Sequence, residues 1–152
     1  MLRDQINTAI KEAMKAQDKL RLSTLRLVNA ALKDRDIEAR GLGKDPLSDD
    51  EFRALLAKMV KQREESARIY EDNGRAELAD QERREIAVIQ DFLPRQLSEE
   101  QTRAAIREVV SQIGAKGIKD MGRTMTALKE RHAGAIDFGK ASAWVKDALM
   151  AS

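Results

Sequence analysis

Apolar residues recur at the spacing of an α-helix along almost the whole chain, and no stretch alternates as a strand does. Leu2, Ile6 and Ala13 mark a first helix. A second helix is predicted to begin after Asp18, whose carboxylate is a suitable N-cap. Two glycines and a proline in the segment 40–46 end that helix. The pattern therefore predicts an all-α protein.

The middle of the chain is predicted to form a long antiparallel hairpin of two helices, within residues 49–91. Ser48 and Glu51 have the spacing of a capping box at the start of the first of these helices. Asn73 and Gly74 favour a left-handed turn between the two helices. The inner face of the returning helix is predicted to consist of Leu78, Ala79, Glu82, Ile86 and Ile89.

Pro94 marks the predicted boundary between two domains. Proline disfavours the helical conformation in the residue before it, here Leu93, so the hairpin is expected to end there. Residues 1–93 are predicted to form an N-terminal helical module. Residues 94–152 are predicted to form a C-terminal three-helix bundle.

Each helix of the predicted bundle has a capping residue at its start. Ser98 and Gln101 form a second capping box, and Asp120 and Asp137 are predicted N-caps of the two later helices. His132 falls at the end of the middle helix, where a cation is favoured by the helix dipole. We expect a structural role for this histidine.

Composition excludes several classes of site. The chain has 152 residues, of which 36% are charged, no Cys and a single His, so it has no disulfide, no cysteine nucleophile and no site needing two imidazoles. It has no apolar run of membrane-span length, and its N-terminal stretch lacks the apolar core of a signal peptide. We expect a soluble cytoplasmic protein with no membrane partner.

Catalytic motifs are not visible in the sequence. The glycines at 41 and 43 and the following Lys44 approximate the end of a phosphate-binding loop, but Glu38 stands where a glycine is needed, and Asp45 where the motif has Ser or Thr. The acidic pairs lie on polar faces or at helix starts, where nothing raises a carboxyl pKa. We predict no catalytic residue, no metal site and no cofactor in this chain.

Charge is distributed unevenly along the chain. Residues 1–94 hold 18 basic and 19 acidic side chains, whereas residues 95–152 hold 10 basic and 7 acidic side chains. The excess of positive charge in the C-terminal part favours an anionic partner there.

The strongest candidate chemistry in the C-terminal part is phosphate binding beside a helix start, where free N–H groups attract anions. The predicted nucleic-acid-binding residues are Lys116, Lys119 and Arg123 at that start, with Lys129, Arg131 and Lys140 extending the basic face. Aromatic residues are scarce and Phe138 and Trp144 are expected in the core, so a duplex or folded RNA is favoured over a single strand. The alternative, that these cations are merely solvated and Gly122 serves helix packing, stays open.

Several stretches of this sequence resemble the GatB/YqeY family. They are FLPRQLSEE at 92–100, KDMGRTM at 119–125 and GAID at 134–137. The stretch KLRLSTLRLV at 19–28 is similar to the stand-alone YqeY-like members. The resemblance covers nearly the whole chain.

The resemblance carries an expected function. Residues 95–152 are similar to the tail domain of the B subunit of the glutamine-dependent tRNA amidotransferase, which helps to hold tRNA while other domains perform the chemistry. Family membership thus implies an association with carbon–nitrogen ligase activity that uses glutamine as the amido donor. We expect an accessory protein that binds tRNA or another folded RNA, has no active site of its own, and works with an amidotransferase or a synthetase.

Two alternatives remain open at this point. One is a protein–protein adaptor that docks through the 49–91 hairpin. The other is an amidotransferase that becomes active only with a partner subunit.

Overall fold

The computed structural model describes residues 1–151, and every regular element within them is helical, which confirms the all-α prediction. The helices are α1 (Leu2–Ala16), α2 (Lys19–Gly41), α3 (Asp49–Asp72), α4 (Ala76–Gln90), α5 (Glu99–Ile113), α6 (Met121–His132) and α7 (Phe138–Met150), with a 3-10 turn at Ile118–Asp120. Across residues 1–151, we find no helix with the length and apolar character needed to cross a bilayer.

The chain divides into two compact units, Met1–Leu93 and Pro94–Ser152. Residue 152, the last of the predicted C-terminal bundle, lies outside the described residues. Each unit has its own hydrophobic core, so each is described separately.

The core of the N-terminal unit is formed by one face each of α1 and α2 together with the part of the α3–α4 hairpin that lies away from its turn. The side chains with no solvent exposure at all include Ile6, Leu25, Val28, Phe52, Leu56 and Ile89. Their helical spacing is the one that the sequence shows, because positions three and four apart share a helix face.

Near its turn the α3–α4 hairpin is held by small residues and ion pairs. Ala67 and Ala79 are both buried, which allows the two helices to approach closely. Arg63 pairs with Glu85, with 3.2 Å between Nε and Oε2. Glu82 and Ile86 follow the predicted inner face, but Leu78 does not, because 36% of its surface is exposed.

A polar clasp joins α1, α2 and the loop before α3. Two guanidinium nitrogens of Arg3 donate to the two carboxylate oxygens of Asp36, at 2.6 and 2.9 Å. Arg3 also donates to the carbonyl oxygen of Leu47, and the N–H of Leu47 donates to Asp36 at 3.0 Å. The Arg3 guanidinium holds the pKa of the Asp36 carboxyl below its usual range, because it stabilises the charged form.

The C-terminal unit is a bundle of α5, α6 and α7. Its most deeply buried side chains include Ile106, Val109, Leu128, Ala141, Val145 and Leu149. The segment before α5 joins the bundle through the N–H of Leu97, which donates to the carbonyl of Ala135 at 2.9 Å.

Four predicted caps are present. The side chain of Asp18 accepts from the N–H of Arg21, and that of Asp137 accepts from the N–H groups of Gly139 and Lys140. Both predicted capping boxes are complete, with reciprocal side-chain to backbone hydrogen bonds between Ser48 and Glu51 and between Ser98 and Gln101. The fifth predicted cap, Asp120, behaves differently and belongs to the candidate site.

Candidate nucleic-acid interface

The predicted binding site at the start of α6 is organised around the carboxylate of Asp120. One oxygen accepts the N–H of Lys116 at 2.9 Å, and the other lies 3.3 Å from the guanidinium of Arg123. Asp120 does not cap α6 with its side chain, so that prediction was wrong. The 3-10 turn Ile118–Asp120 leads directly into α6, and the carboxylate turns back to the loop instead.

Electrostatics at Asp120 show which cations lie near it. The pKa of this carboxyl is lowered, first by the hydrogen bond from the Lys116 N–H and then by the positive charges of Arg123 and Lys119. The side chain of Arg123 remains 56% exposed while it pairs with Asp120. The side chains of Lys116 and Lys119 are exposed as well. Arg123 and Lys119 beside one carboxylate, with exposed Lys116 on the preceding loop, leave a net positive charge at this end of the bundle.

Lys129 and Lys140 lie away from the Asp120 cluster, at the opposite end of α6. This helix has 12 residues, so its two ends are roughly 18 Å apart. The ammonium nitrogen of Lys129 is 5.9 Å from the ring centroid of Phe138, the first residue of α7. Lys140 stands in the first turn of α7, and its side chain is exposed. These two lysines form a second cationic group where α6 ends and α7 begins.

The side chain of Arg131 is directed towards α5. Its guanidinium donates to the side-chain oxygen of Gln112 on α5. The structure therefore does not place the six predicted residues in one patch, because Arg131 faces α5 whereas Lys129 faces α7.

The aromatic residues of the bundle offer little room for base stacking. Trp144 and Phe138 are half-buried and pack against the core, so their predicted core position is partly met. The guanidinium of Arg103 lies over the indole of Trp144, 5.1 Å from its centroid. His132 is half-buried at the end of α6, as the sequence predicts.

Between Met1 and Ala151 no group of three or more His, Asp or Glu side chains is arranged to hold a metal ion. Every buried side-chain nitrogen or oxygen in the same range has a hydrogen-bond partner. The exposed cations beside Asp120 are chemically suited to binding a polyanion.

The hairpin proposed as a docking surface carries few exposed apolar side chains. In the described chain, the large apolar residues of α3 and α4 that reach solvent are Ile69, 57% exposed, and Leu78. Ile69 is on α3 and Leu78 is on α4, and both are surrounded in sequence by charged residues. This surface is mostly charged, unlike the contiguous apolar patch typical of a docking site.

Comparison with known families gives a match over nearly the whole chain. A family model described as Yqey-like protein matches residues 3–149. The chain belongs to the YqeY-like family. This agrees with the resemblance seen at 92–100 and 119–125, and it covers both units of the structure.

Curated relatives of this YqeY-like protein are found in yeasts. It is 32% identical over 84 residues to "Altered inheritance of mitochondria protein 41, mitochondrial" of Lachancea thermotolerans, which covers 55% of this chain and 43% of the relative. The proteins of the same name from Vanderwaltozyma polyspora and Candida glabrata are 33% and 31% identical over 84 residues, which is 44% and 45% of their lengths. The match thus spans less than half the length of each relative.

Proposed function

We propose that this YqeY-like protein binds folded RNA, with tRNA as the favoured ligand, through the C-terminal unit. The observation that carries the proposal is the pair of cations Arg123 and Lys119 beside the single carboxylate of Asp120, with the exposed side chain of Lys116 on the loop whose N–H that carboxylate accepts. A net positive, exposed cluster of this kind attracts the phosphate backbone and releases its counterions on binding.

The second cationic group supports a contact with an extended rather than a small anion. Lys129 lies in the last turn of α6, six residues or about 9 Å along the helix axis from Arg123, and Lys140 lies in the first turn of α7. Cations spread along α6 and into α7 in this way suit the repeated phosphates of an RNA backbone better than one small anion. Because Arg103 covers Trp144, recognition by backbone and shape is favoured over stacking of unpaired bases.

Binding of labelled tRNA to the full chain at several salt concentrations tests this proposal. The variant Lys119→Gln/Arg123→Gln removes two cations of the Asp120 cluster and keeps residues of good helix propensity. We expect weaker binding and a plot of log K against log salt whose slope is smaller by about two.

The matched control is Arg95→Gln/Lys146→Gln, which removes the same charge from exposed positions of the same unit. We expect the control to bind tRNA as the unaltered protein does. Absence of salt-dependent binding by the unaltered chain, or equal binding by both variants, rejects the proposal.

The partner and setting are also part of the proposal. The resemblance of residues 95–152 to an amidotransferase tail supports a role as an accessory to glutamine-dependent tRNA amidation, with an amidotransferase or a synthetase as the protein partner. A cytoplasmic site of action is the expectation from the sequence. Reconstituted amidation of Glu-tRNA, with and without this chain, measures the effect directly, and an unchanged rate at every chain concentration argues against the accessory role.

A further inference from the structure

Helix α2 carries a row of four cations on its solvent face. Lys19, Arg26, Lys33 and Arg40 follow one another at intervals of seven residues, and all four side chains are exposed. Seven residues are close to two helical turns, so the four lie along one side of the helix, about 100° around the axis from the buried Leu25 and Leu32. The row is about 31 Å long, with about 10 Å between neighbouring residues along the axis.

The four cations of the row form no ion pair within residues 1–151, although the exposed carboxylates Asp34 and Glu38 lie on the same helix. Among residues 1–151, no carboxylate lies within ion-pairing distance of any of these four side chains. Asp36 is the acidic residue of α2 that lies one helical turn from both Lys33 and Arg40. Both oxygens of Asp36 are already bonded to Arg3, and one also accepts the N–H of Leu47.

The exposed arginines of the hairpin show the contrast. Arg53 pairs with Asp50, Arg83 pairs with Glu71 and Arg84 lies 3.8 Å from Asp80. Solvated helix faces of this protein thus commonly contain ion pairs, whereas the four cations of α2 form none with Asp34 or Glu38, the exposed carboxylates of the same helix.

Lys19 lies at the N-terminal end of α2, where the helix dipole favours a negative charge. It is the first residue of α2, and the first turn of this helix contains no acidic residue. The N-terminal end of a helix dipole is positive, so a lysine there is mildly destabilising, and Asp18 offsets this only as the cap. Helix stability therefore does not account for the position of Lys19.

We propose that the cationic row of α2, defined as Lys19, Arg26, Lys33 and Arg40, binds the sugar–phosphate backbone of double-stranded RNA. This surface lies in the N-terminal unit and is additional to the proposed site on α6. A straight row of separated cations matches a linear polyanion, since each cation can meet a different phosphate.

The chemistry of α2 favours a duplex over other polyanions. The helix has no aromatic residue on which an unpaired base could stack, so a single strand gains little from it. Leu25, Val28 and Leu32 of α2 are buried in the core of the unit, and its exposed apolar residues Leu27 and Ile37 are ten positions apart, so α2 has no continuous apolar face to insert into a membrane surface. Backbone contacts and shape are the means by which double-stranded RNA is recognised.

Binding of the full chain to a blunt-ended RNA duplex of about 20 base pairs, at several salt concentrations, tests the proposal. The variant Arg26→Gln/Lys33→Gln removes the two central cations of the row. We expect roughly tenfold weaker binding at low salt and a salt slope smaller by about two. The control Arg68→Gln/Arg75→Gln removes the same charge from exposed positions of the hairpin, and we expect it to bind the duplex normally.

Each remaining outcome decides against the row as a duplex site. Failure of the unaltered chain to bind the duplex overturns it, as does an equal loss in the α2 variant and the control when both retain their helical circular dichroism. Equal affinity for a single strand of the same length, or binding of anionic vesicles that depends on the row while duplex binding does not, also overturns it. Measuring Lys119→Gln/Arg123→Gln on the same duplex separates this surface from the α6 site, because either variant can lose binding without the other.

Discussion

The carboxylate of Asp36 is held by Arg3, which lies 33 residues earlier in the chain, with nitrogen–oxygen distances of 2.6 and 2.9 Å. Lys33 and Arg40, one turn away on the same helix as Asp36, are left unpaired in the described structure. One ion pair therefore has two effects. It fastens α1 to α2, and it occupies the carboxylate that lies one helical turn from both Lys33 and Arg40.

Replacing the charge at Asp36 should lower the stability of the N-terminal unit. In Asp36→Asn the amide oxygen can still accept a hydrogen bond, but the charge-assisted pair with Arg3 is lost. We expect a loss of about 1–3 kcal/mol in the free energy of unfolding at neutral pH, measured by urea denaturation. Asp34→Asn, an exposed carboxylate of the same helix, is the control and should change little.

The pH dependence of this loss follows from the lowered pKa of Asp36. A carboxyl whose pKa is lower in the folded state contributes stability above its unfolded pKa, and that contribution is lost as the pH falls through the folded pKa. The difference between the unaltered protein and Asp36→Asn should therefore be constant near neutral pH and shrink below about pH 4. A difference that grows on acidification contradicts the assignment of the clasp.

Glu82 in the hairpin should show the opposite pH dependence. Burial raises the pKa of its carboxyl, and the neighbouring Glu85 raises it further while Arg63 opposes them. The raised pKa contributes stability that is present below the unfolded pKa and lost as the pH rises through the folded pKa. Glu82→Gln should therefore have a higher urea midpoint than the unaltered protein at pH 7, and the two should converge near pH 4.

Glu65→Gln is the control for this prediction, because Glu65 is exposed on α3. It should leave the pH profile of stability as it is. A midpoint for Glu82→Gln below that of the unaltered protein at pH 7 contradicts the prediction.

The capping box at the start of α5 gives a prediction for the C-terminal unit. Ser98→Ala removes the acceptor of the Gln101 N–H and should cost about 1 kcal/mol of stability, measured by thermal or urea unfolding. Ser111→Ala, the same substitution at an exposed position of the last turn of α5, should be neutral. Equal effects of the two substitutions would show that the cap contributes nothing.

Asp120 should limit the affinity of the proposed RNA site. Asp120→Asn keeps an oxygen that can accept the Lys116 N–H and removes the charge that pairs with Arg123. We expect tighter tRNA binding and a salt slope larger by up to about one, measured by the same titration. Asp147→Asn, an exposed carboxylate on α7, makes the same change of net charge and should not alter the slope. Weaker binding by Asp120→Asn would contradict the proposed site.

The helices and most of their caps were accessible from the sequence because the interactions that define them are local. Ser48 and Ser98 each act on a residue three positions later, so the spacing alone predicts the hydrogen bonds that form. Asp120 was mispredicted because its spacing suits a cap, while a 3-10 turn redirects its carboxylate to Lys116.

Long-range pairs could not be predicted from one sequence. Nothing in the local pattern joins Arg3 to Asp36 or Arg63 to Glu85, since these partners meet only when helices pack. The separation of Arg131 from Lys129 is similar, because each turns towards a different neighbouring helix.

The cationic row of α2 was visible in the sequence as a seven-residue repeat of basic residues. A count of net charge hid it, because residues 1–94 hold 18 basic and 19 acidic side chains. Only the structure shows that Asp36, one helical turn from both Lys33 and Arg40, is already paired with Arg3.

The exposed cations and the buried core residues of α2 repeat with the same seven-residue spacing. Leu25 and Leu32 are seven residues apart on the buried side, just as Arg26 and Lys33 are on the exposed side. Inserting or deleting one residue between them would rotate everything that follows by about 100°, taking Lys33 off its face and Leu32 out of the interior together. Both the buried core and the cationic row thus constrain the number of residues in this helix. The α2 segment should tolerate substitutions far better than insertions or deletions.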